Sequence, residues 1–551
     1  MVSIYGIDTS NAQELLCYHD LYDGAIPDIK MEIAKLNMHK SISIISELIN
    51  AREYKIEVKT CGLELSFPFE TALKKIFLGV SANSSKEFFE NPLLYKNKHI
   101  VSLQMFLILL KKVIVYGDYS SLTQTDYTID ANDYSNIIRL QLIVTEEFDE
   151  DFNKGKIDIN HFIYGNYHLN YDHNVANQFA RSYYMLEKLS RDKSNFEIDI
   201  QGEYRDYYGD FVKQYKYTPT QYLSLLFWEL SAYYPLKNAL TYNSIWRNIE
   251  TVYGKTAMIE VGKRVIKDLS QKPDYYKEWA KNTESEMWDF SLFSGCPFII
   301  DYKGAYISIS EHTLKNAFFE KLYWKIRDCY SENDSRAMSF YGRLFEKYIQ
   351  DLTQEAAAKV DTFDYISEFK YGNKRSSDAY LRKGDKLLIV ETKGYSILQS
   401  SLAQNVNIEK NNEKLFIKPI LQADERFDEI DQLGGYFDGV STAYILSVTM
   451  DSVNAVPAYL DTIYGDIFAK KRSKKTKFFY NFNIEEYEML MFLTENGIDI
   501  FEVLANYFEC EHILPFSTYL HRSTEGKIKM TVFMDSIYKE ACNTMKLMYE
   551  L

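Results

Sequence analysis

Cysteine is scarce in this chain and never closely spaced. Cys17, Cys61, Cys296, Cys329, Cys510 and Cys542 lie far apart, and no Cys-x-x-Cys occurs. That distribution excludes a zinc knuckle and a cysteine-held iron–sulfur cluster, and it suits a reduced compartment rather than a disulfide framework. Only 10 prolines and 23 glycines occur in 551 residues, which excludes collagen-like and Pro/Gly-rich low-complexity architectures. No long apolar run is present. The nearest candidate, Ile100–Gly117, is broken by Lys111 and Lys112, so a buried helix is expected there and no membrane partner. The opening residues lack the basic start and apolar core of a secretory signal, and the expected location is the cytoplasm. A nucleotide-binding P-loop is missing too. Gly254-Lys255-Thr256 has the right ending, but Ile249 stands where the earlier glycine is required, so no ATP motor is expected.

Positive charge is also in deficit, with 63 basic against 78 acidic residues. Phosphate contacts supply most nucleic-acid affinity, so this balance first argues against such a partner. Its distribution answers the objection. Residues 331–480 hold 21 Lys+Arg against 22 Asp+Glu, so nearly all the excess acid lies elsewhere. Lys370, Lys374, Arg375, Arg382, Lys383 and Lys386 cluster there. A second cluster, Lys470, Lys471, Arg472, Lys474 and Lys475, runs into Phe478, Phe479 and Tyr480, aromatics that could stack on bases. A solvated linker explains the second cluster as well as phosphate contact does.

The most informative stretch is Leu387–Lys393, an apolar run that ends in Glu391, Thr392 and Lys393. In a strand, residues two apart point to one face, so Glu391 and Lys393 project together. Packing gives no reason to end a buried strand in such a pair. Metal-assisted hydrolysis does, because the carboxylate can ligate a cation while the ammonium orients water or screens a phosphate. Upstream, Ser377–Arg382 and Lys386–Lys393 flank Lys383-Gly384-Asp385 and form an expected hairpin. Centred on Gly384, it brings Asp378 level with Val390 and Glu391. Two acidic oxygens from adjacent strands suit Mg²⁺ or Mn²⁺. Earlier, apolar residues at Met338, Tyr341, Leu344, Phe345, Tyr348, Ile349 and Leu352 have helical spacing, with Glu346 beside the stripe. Later, Asp424–Val440 is expected as a second helix, slackened by Gly434 and Gly435, with Gln432 and Tyr436 four apart on one face. A strand at Thr442–Thr449 follows.

The order helix, strand, hairpin, helix, strand from about residue 335 to 449 resembles a PD-(D/E)xK nuclease core, and within it the RecB/Cas4-like branch with a Gln-x-x-x-Tyr motif. The resemblance covers about a fifth of the chain. It implies Asp378, Glu391 and Glu346 as metal ligands for Mg²⁺ (or Mn²⁺), and Lys393 as the catalytic lysine. Gln432 and Tyr436 would place nucleic acid and water. Ser377 stands where the superfamily's name has proline, a replacement often found in RecB-like members. The length between Gly394 and the Gln432 helix suggests an insertion or flap.

The expected fold class is therefore α+β and multidomain. Residues 1–285 form a large, mainly helical sensor, regulatory or interaction region, with clear helices at Phe106–Val115, Asn177–Leu189 and Tyr222–Tyr234, a β segment at Tyr54–Phe67 and an acidic loop or helix start at 146–151. Residues 286–334 hold a hairpin and a connecting helix. Residues 335–480 form the restriction-endonuclease-like α/β core, a central mixed sheet flanked by helices, and residues 481–551 a small helical module. The expected activity is divalent-metal-dependent phosphodiester hydrolysis, in DNA rather than RNA, with a protein partner or homo-oligomer. Fused nuclease architectures suggest an antiviral-defence effector gated by its N-terminal region, on fold-level analogy. Two alternatives stand beside it: a non-catalytic nucleic-acid-binding scaffold, and a nuclease subunit active only within a complex. His161, His168, His173 and Asp172 match no standard zinc spacing.

Overall fold

The computed structural model describes residues 14–53, 98–99, 102–155, 165, 169, 171, 173–197, 202–233, 245–394, 410, 413–450, 465, 469–509 and 514–549. The segment Tyr54–Phe67, His161, His168, Asp172 and residues 395–409 of the expected flap fall outside them, while Glu413–Ile417 and the start of the helix Lys418–Leu433 occupy the later part of that stretch. The fold is α+β, with a mixed five-stranded sheet. Two compact units are present among the described residues: those within 163–220 and 322–547 form one, and those within 11–162, 221–321 and 548–551 the other. This division cuts across the linear plan. Residues 163–220, expected within a separate 1–285 region, cluster with the sheet-bearing unit, while 286–321 cluster with the other.

The sheet-bearing unit starts at α1 (Ser335–Ala357). Asp334 caps it by accepting the Ala337 amide at 3.1 Å. Its buried stripe, Phe340, Tyr341, Leu344, Phe345, Tyr348, Ile349 and Leu352, follows the helical period and packs on the sheet. Strands β1 (Asp364–Ser367), β2 (Ala379–Lys383) and β3 (Lys386–Lys393) run antiparallel in turn. Helix α2 (Lys418–Leu433) then leads to β4 (Thr442–Thr449), parallel to β3, and β5 (Thr476–Asn483), parallel to β4. Spatial order is β5-β4-β3-β2-β1. Four helices close the unit: α3 (Ile484–Glu495), α4 (Ile500–Phe508), α5 (Phe516–Ser523) and α6 (Val532–Tyr549). Asn483 and Glu486 form a reciprocal cap on α3, and Gly497, with φ +70°, makes the turn before α4.

Alternation decides what each sheet face meets. Tyr380, Leu387, Ile389, Ala443, Ile445 and Phe479 pack with Ile420, Ala423, Phe427 and Ile430 of α2. The opposite parity meets the C-terminal helices. Tyr444 packs on Phe501 at 5.0 Å, and Phe482 stacks on Phe516 at 4.2 Å. Both faces of β3 are therefore covered, which explains its unbroken apolar run.

Segment 163–220 is tied to α1 and α3 by buried polar contacts. Arg181 pairs with Glu488, which also accepts Asn177 Nδ2 at 2.9 Å and the Tyr348 hydroxyl at 2.7 Å. Arg205 holds Asp334, the α1 cap, at 2.9 Å. His173 Nδ1 lies 3.4 Å from Glu485 Oε1 with both side chains buried, a structural pairing.

In the other unit, the helices include Leu103–Tyr116, Ala131–Asn153 and Pro273–Asn282, with a small sheet of Ser270–Gln271, Phe298–Ile300 and Tyr306–Ser308. The acidic run at 146–151, expected as a loop or helix start, is the last part of the helix Ala131–Asn153. Lys111 is buried, with its ammonium on the Thr283 carbonyl at 2.7 Å and over the Trp279 ring. Among the described residues, no helix is long and apolar enough to cross a membrane.

Gly394 lets α1 approach the end of β3. A Cβ there would sit 2.9 Å from Phe345 Cβ and 3.1 Å from the Gly342 Cα. Gly394→Ala should therefore destabilise the protein by about 1–3 kcal/mol through overpacking. Urea denaturation measures this, with an unchanged midpoint as the contrary result.

Candidate active site

The β2–β3 hairpin brings the two central carboxylates together. Gly384 has φ +60° at the first central position of the turn, where a II′ hairpin requires glycine. Pairing then runs from Lys383 with Lys386 to Ala379 with Val390. Beyond that pair the ladder is irregular: the Asp378 amide donates at 3.1 Å to the carbonyl of Val390, the residue already paired with Ala379. By strand alternation Glu391 and Lys393 share the α2 face with Leu387 and Ile389, while the Asp378 carboxylate turns to Thr392 at the open end of the hairpin, where its charge reaches both Glu391 and Glu346.

Both carboxylates are buried, Asp378 at 7% and Glu391 at 3% exposure. Each has specific partners, as burial of charge demands. The Thr392 amide and hydroxyl both donate to Asp378 Oδ2 at 2.7 Å, so Oδ1 takes part in neither bond. Gln350 Nε2 of α1 donates to the Asp378 carbonyl at 3.1 Å. Lys393 Nζ lies 3.2 Å from Glu391 Oε1. Arg426 of α2 places Nη1 2.9 Å from Glu391 Oε2 and 3.2 Å from Oε1.

Glu346 is half-buried on α1, with Arg343 Nη1 at 3.4 Å. Desolvation, reinforced by the nearby Asp378 carboxylate and then by Glu368 and Glu391, pushes its carboxyl up to about 8. Burial beside Asp378 likewise raises Glu391 to about 7, against the opposing pull of Lys393 and Arg426. Glu368 is raised by desolvation and Asp378, although Arg375 donates to it at 3.2 Å. Four carboxylates thus sense one another at the mouth of the hairpin. Arg343, Arg375, Lys393 and Arg426 stand among them.

This clustering of carboxylates bears on metal binding. Among the described residues, no group of three or more His, Cys, Asp or Glu forms an all-protein metal cage. Mg²⁺ does not require one, because it keeps several waters and takes one or two carboxylates. Asp378 and Glu391 are such a pair of hard oxygen donors. They fit the ion's chemistry, provided that Arg426 yields Glu391.

Gln432 and Tyr436 are not brought to this site, a correction to their expected role. Helix α2 ends at Leu433 because Gly434 and Gly435 adopt φ +70° and +102°, so Tyr436 is not one helical turn beyond Gln432. Gln432 hydrogen-bonds Asp428 at 3.0 Å in an exposed setting. Tyr436 is 62% exposed against Phe369, and its carbonyl accepts from Arg382. Arg382 lies four residues along β2 from Asp378, roughly 13 Å at strand rise.

The basic clusters are largely engaged by acids. Lys374 holds Glu429 at 2.6 Å, Arg375 holds Glu368, Arg472 holds Glu425 at 2.6 Å, and Lys475 holds Asp431 at 2.6 Å. Lys471 donates to the Thr476 carbonyl. Lys470 and Lys474 are exposed. Phe479 and Tyr480, expected to stack on bases, are instead buried in β5, because the basic run leads directly into the sheet.

Sequence reasoning missed Arg426, Glu368, Gln350 and the role of Thr392. One signal was present for Arg426: it is a lone base among Asp424, Glu425, Asp428, Glu429 and Asp431, flanking the buried stripe of α2.

The raised carboxyls make stability pH-dependent with a definite sign. Below about pH 4.5 both folded and unfolded states hold these protons, so nothing is lost. As pH climbs through about 7 and 8 the folded site must give them up, and stability falls. In chelator, Glu346→Gln should flatten this decline relative to wild type; parallel urea-stability profiles from acid to alkaline pH would contradict it. The chain matches no family model, and no curated protein or solved structure is similar to it.

Proposed function

We propose that the protein is a divalent-metal-dependent nuclease of PD-(D/E)xK type that hydrolyses phosphodiester bonds in DNA. The observation supporting this most directly is one cluster. Glu391 and Lys393 share one face of β3, with Nζ 3.2 Å from Oε1, and the Asp378 carboxylate is buried beside them at the end of the same hairpin. The restriction-endonuclease-like reading of the core draws on the same region, a mixed sheet with α1 before it and α2 between β3 and β4.

In this reading, Asp378 and Glu391 would hold Mg²⁺ or Mn²⁺, and the ion's chemistry when bound would be Lewis acidity toward phosphate and water. Thr392 fixes Asp378 through Oδ2, so the carboxylate is pre-oriented rather than ordered on binding. Lys393 orients the attacking water and offsets negative charge that grows on the phosphate oxygens. Glu346 faces the pair from α1, where burial and the Asp378 charge raise its affinity for a proton. Water access is compatible with burial here, because Lys393 remains 25% exposed beside the closed carboxylates.

All elements of the site belong to the sheet-bearing unit. The scaffold alternative differs in one respect: a pure binder has no use for a lysine held against a buried strand-end carboxylate.

Incubation with labelled DNA in Mg²⁺ should give cleavage that chelator abolishes. Asp378→Asn, Glu391→Gln and Lys393→Ala should each lower the rate by about 10²-fold or more. Gln432→Ala should stay within about twofold, the expectation for exposed positions outside the reactive centre. Wild-type cleavage by Lys393→Ala would refute the assignment.

A further inference from the structure

Arg426 is the element of this site that the family resemblance does not account for. Its Nη1 straddles Glu391, 2.9 Å from Oε2 and 3.2 Å from Oε1, and lies 3.5 Å from the Ser376 carbonyl. That places a cation across both carboxylate oxygens. A divalent ion binding Glu391 at about 2.1 Å would need part of the same space.

The acids of its own helix do not explain its placement. Asp424 accepts the Arg472 and Ser473 amides, Glu425 pairs with Arg472, Glu429 with Lys374 and Tyr371, and Asp431 with Lys475. Gln432 holds Asp428. Arg426 reaches instead across to the strand end. Its side chain is 21% exposed, so the guanidinium is reachable from solvent while its partner is sealed.

We propose that Arg426 is a resident counter-cation for Glu391, displaced by the divalent ion and then used to grip a phosphate oxygen of the substrate. The proposal rests on the metal-dependent nuclease reading. Chemistry favours arginine in both settings: its planar fork matches carboxylate and phosphate alike, and it stays charged in each. In the metal-free state, Lys393 and Arg426 together balance Asp378 and Glu391, so the buried pair is not left uncompensated. A bound divalent ion would take over that compensation and leave the guanidinium, tethered to α2, free for a phosphate oxygen of the substrate. Metal and arginine compete for one carboxylate, and metal and substrate cooperate through one arginine.

This predicts effects of opposite sign from one substitution. In alkaline buffer, calorimetric titration of the full chain with Mn²⁺ should show Arg426→Gln binding the ion about tenfold more tightly than wild type, because the competitor is gone. In Ca²⁺, fluorescence anisotropy with a labelled DNA duplex should show the same variant binding DNA about tenfold more weakly. A merely structural arginine would weaken both. Equal or weaker Mn²⁺ binding, or unchanged DNA binding, would overturn the proposal. If Arg426→Gln does not fold, Arg426→Lys decides. It keeps a cation at Glu391 but lacks the fork, so Mn²⁺ affinity should stay near wild type while DNA affinity falls, and wild-type DNA affinity would refute it. Failure of wild type and variants alike to bind Mn²⁺ would instead remove the nuclease reading on which the proposal stands.

Discussion

Two carboxylates buried together at the open end of a single hairpin are the constraint around which this unit is organised. The turn at Gly384 sets the register of β2 on β3, which brings Asp378 to the end of β3 that carries Glu391. A one-residue slip would turn Glu391 and Lys393 to the opposite face. Burying them requires compensation. Thr392 supplies two hydrogen bonds to Asp378, and Lys393 and Arg426 bracket Glu391. Isolated burial of such charges would cost several kcal/mol per ion. The site survives because each partner comes from an element that the fold already presses against the hairpin.

Burial is as informative as the compensation. Glu346 and Glu391 hold their protons well above the ordinary carboxylate range because they are desolvated, and the nearby Asp378 charge adds to this. Carboxylates perturbed by burial together with a specific charged neighbour are what a functional site requires, which is how the proposed chemistry would use them.

The two compact units add a lesson about chain organisation. A segment some 150 residues upstream of α1 joins it through Arg181, Glu488 and Tyr348, a buried cluster. Such a contact depends on desolvated partners far apart along the chain. Arg181 and Glu488 are 307 residues apart, so the local pattern of 163–220 carries no sign of the unit to which it belongs.

What the sequence determined by itself was local. The apolar run of β3, the glycine turn, the helical stripe of α1 and the break at Gly497 all follow from periods of two and 3.6 residues, and they place Asp378, Glu391, Lys393 and Glu346 in order along the chain. Hairpin register is local as well, because a tight turn dictates pairing on both sides. Tertiary structure decided the rest. The spacing of Gln432 and Tyr436 suggested a shared helix face, but backbone angles at Gly434 and Gly435 ended the helix between them. The aromatics after the basic cluster went into the sheet core rather than to a surface. Arg426 acquired its role because α2 packs over β3 and brings a guanidinium to a carboxylate 35 residues away. Sequence period sets which side of an element a residue occupies. Only packing sets what lies across from it.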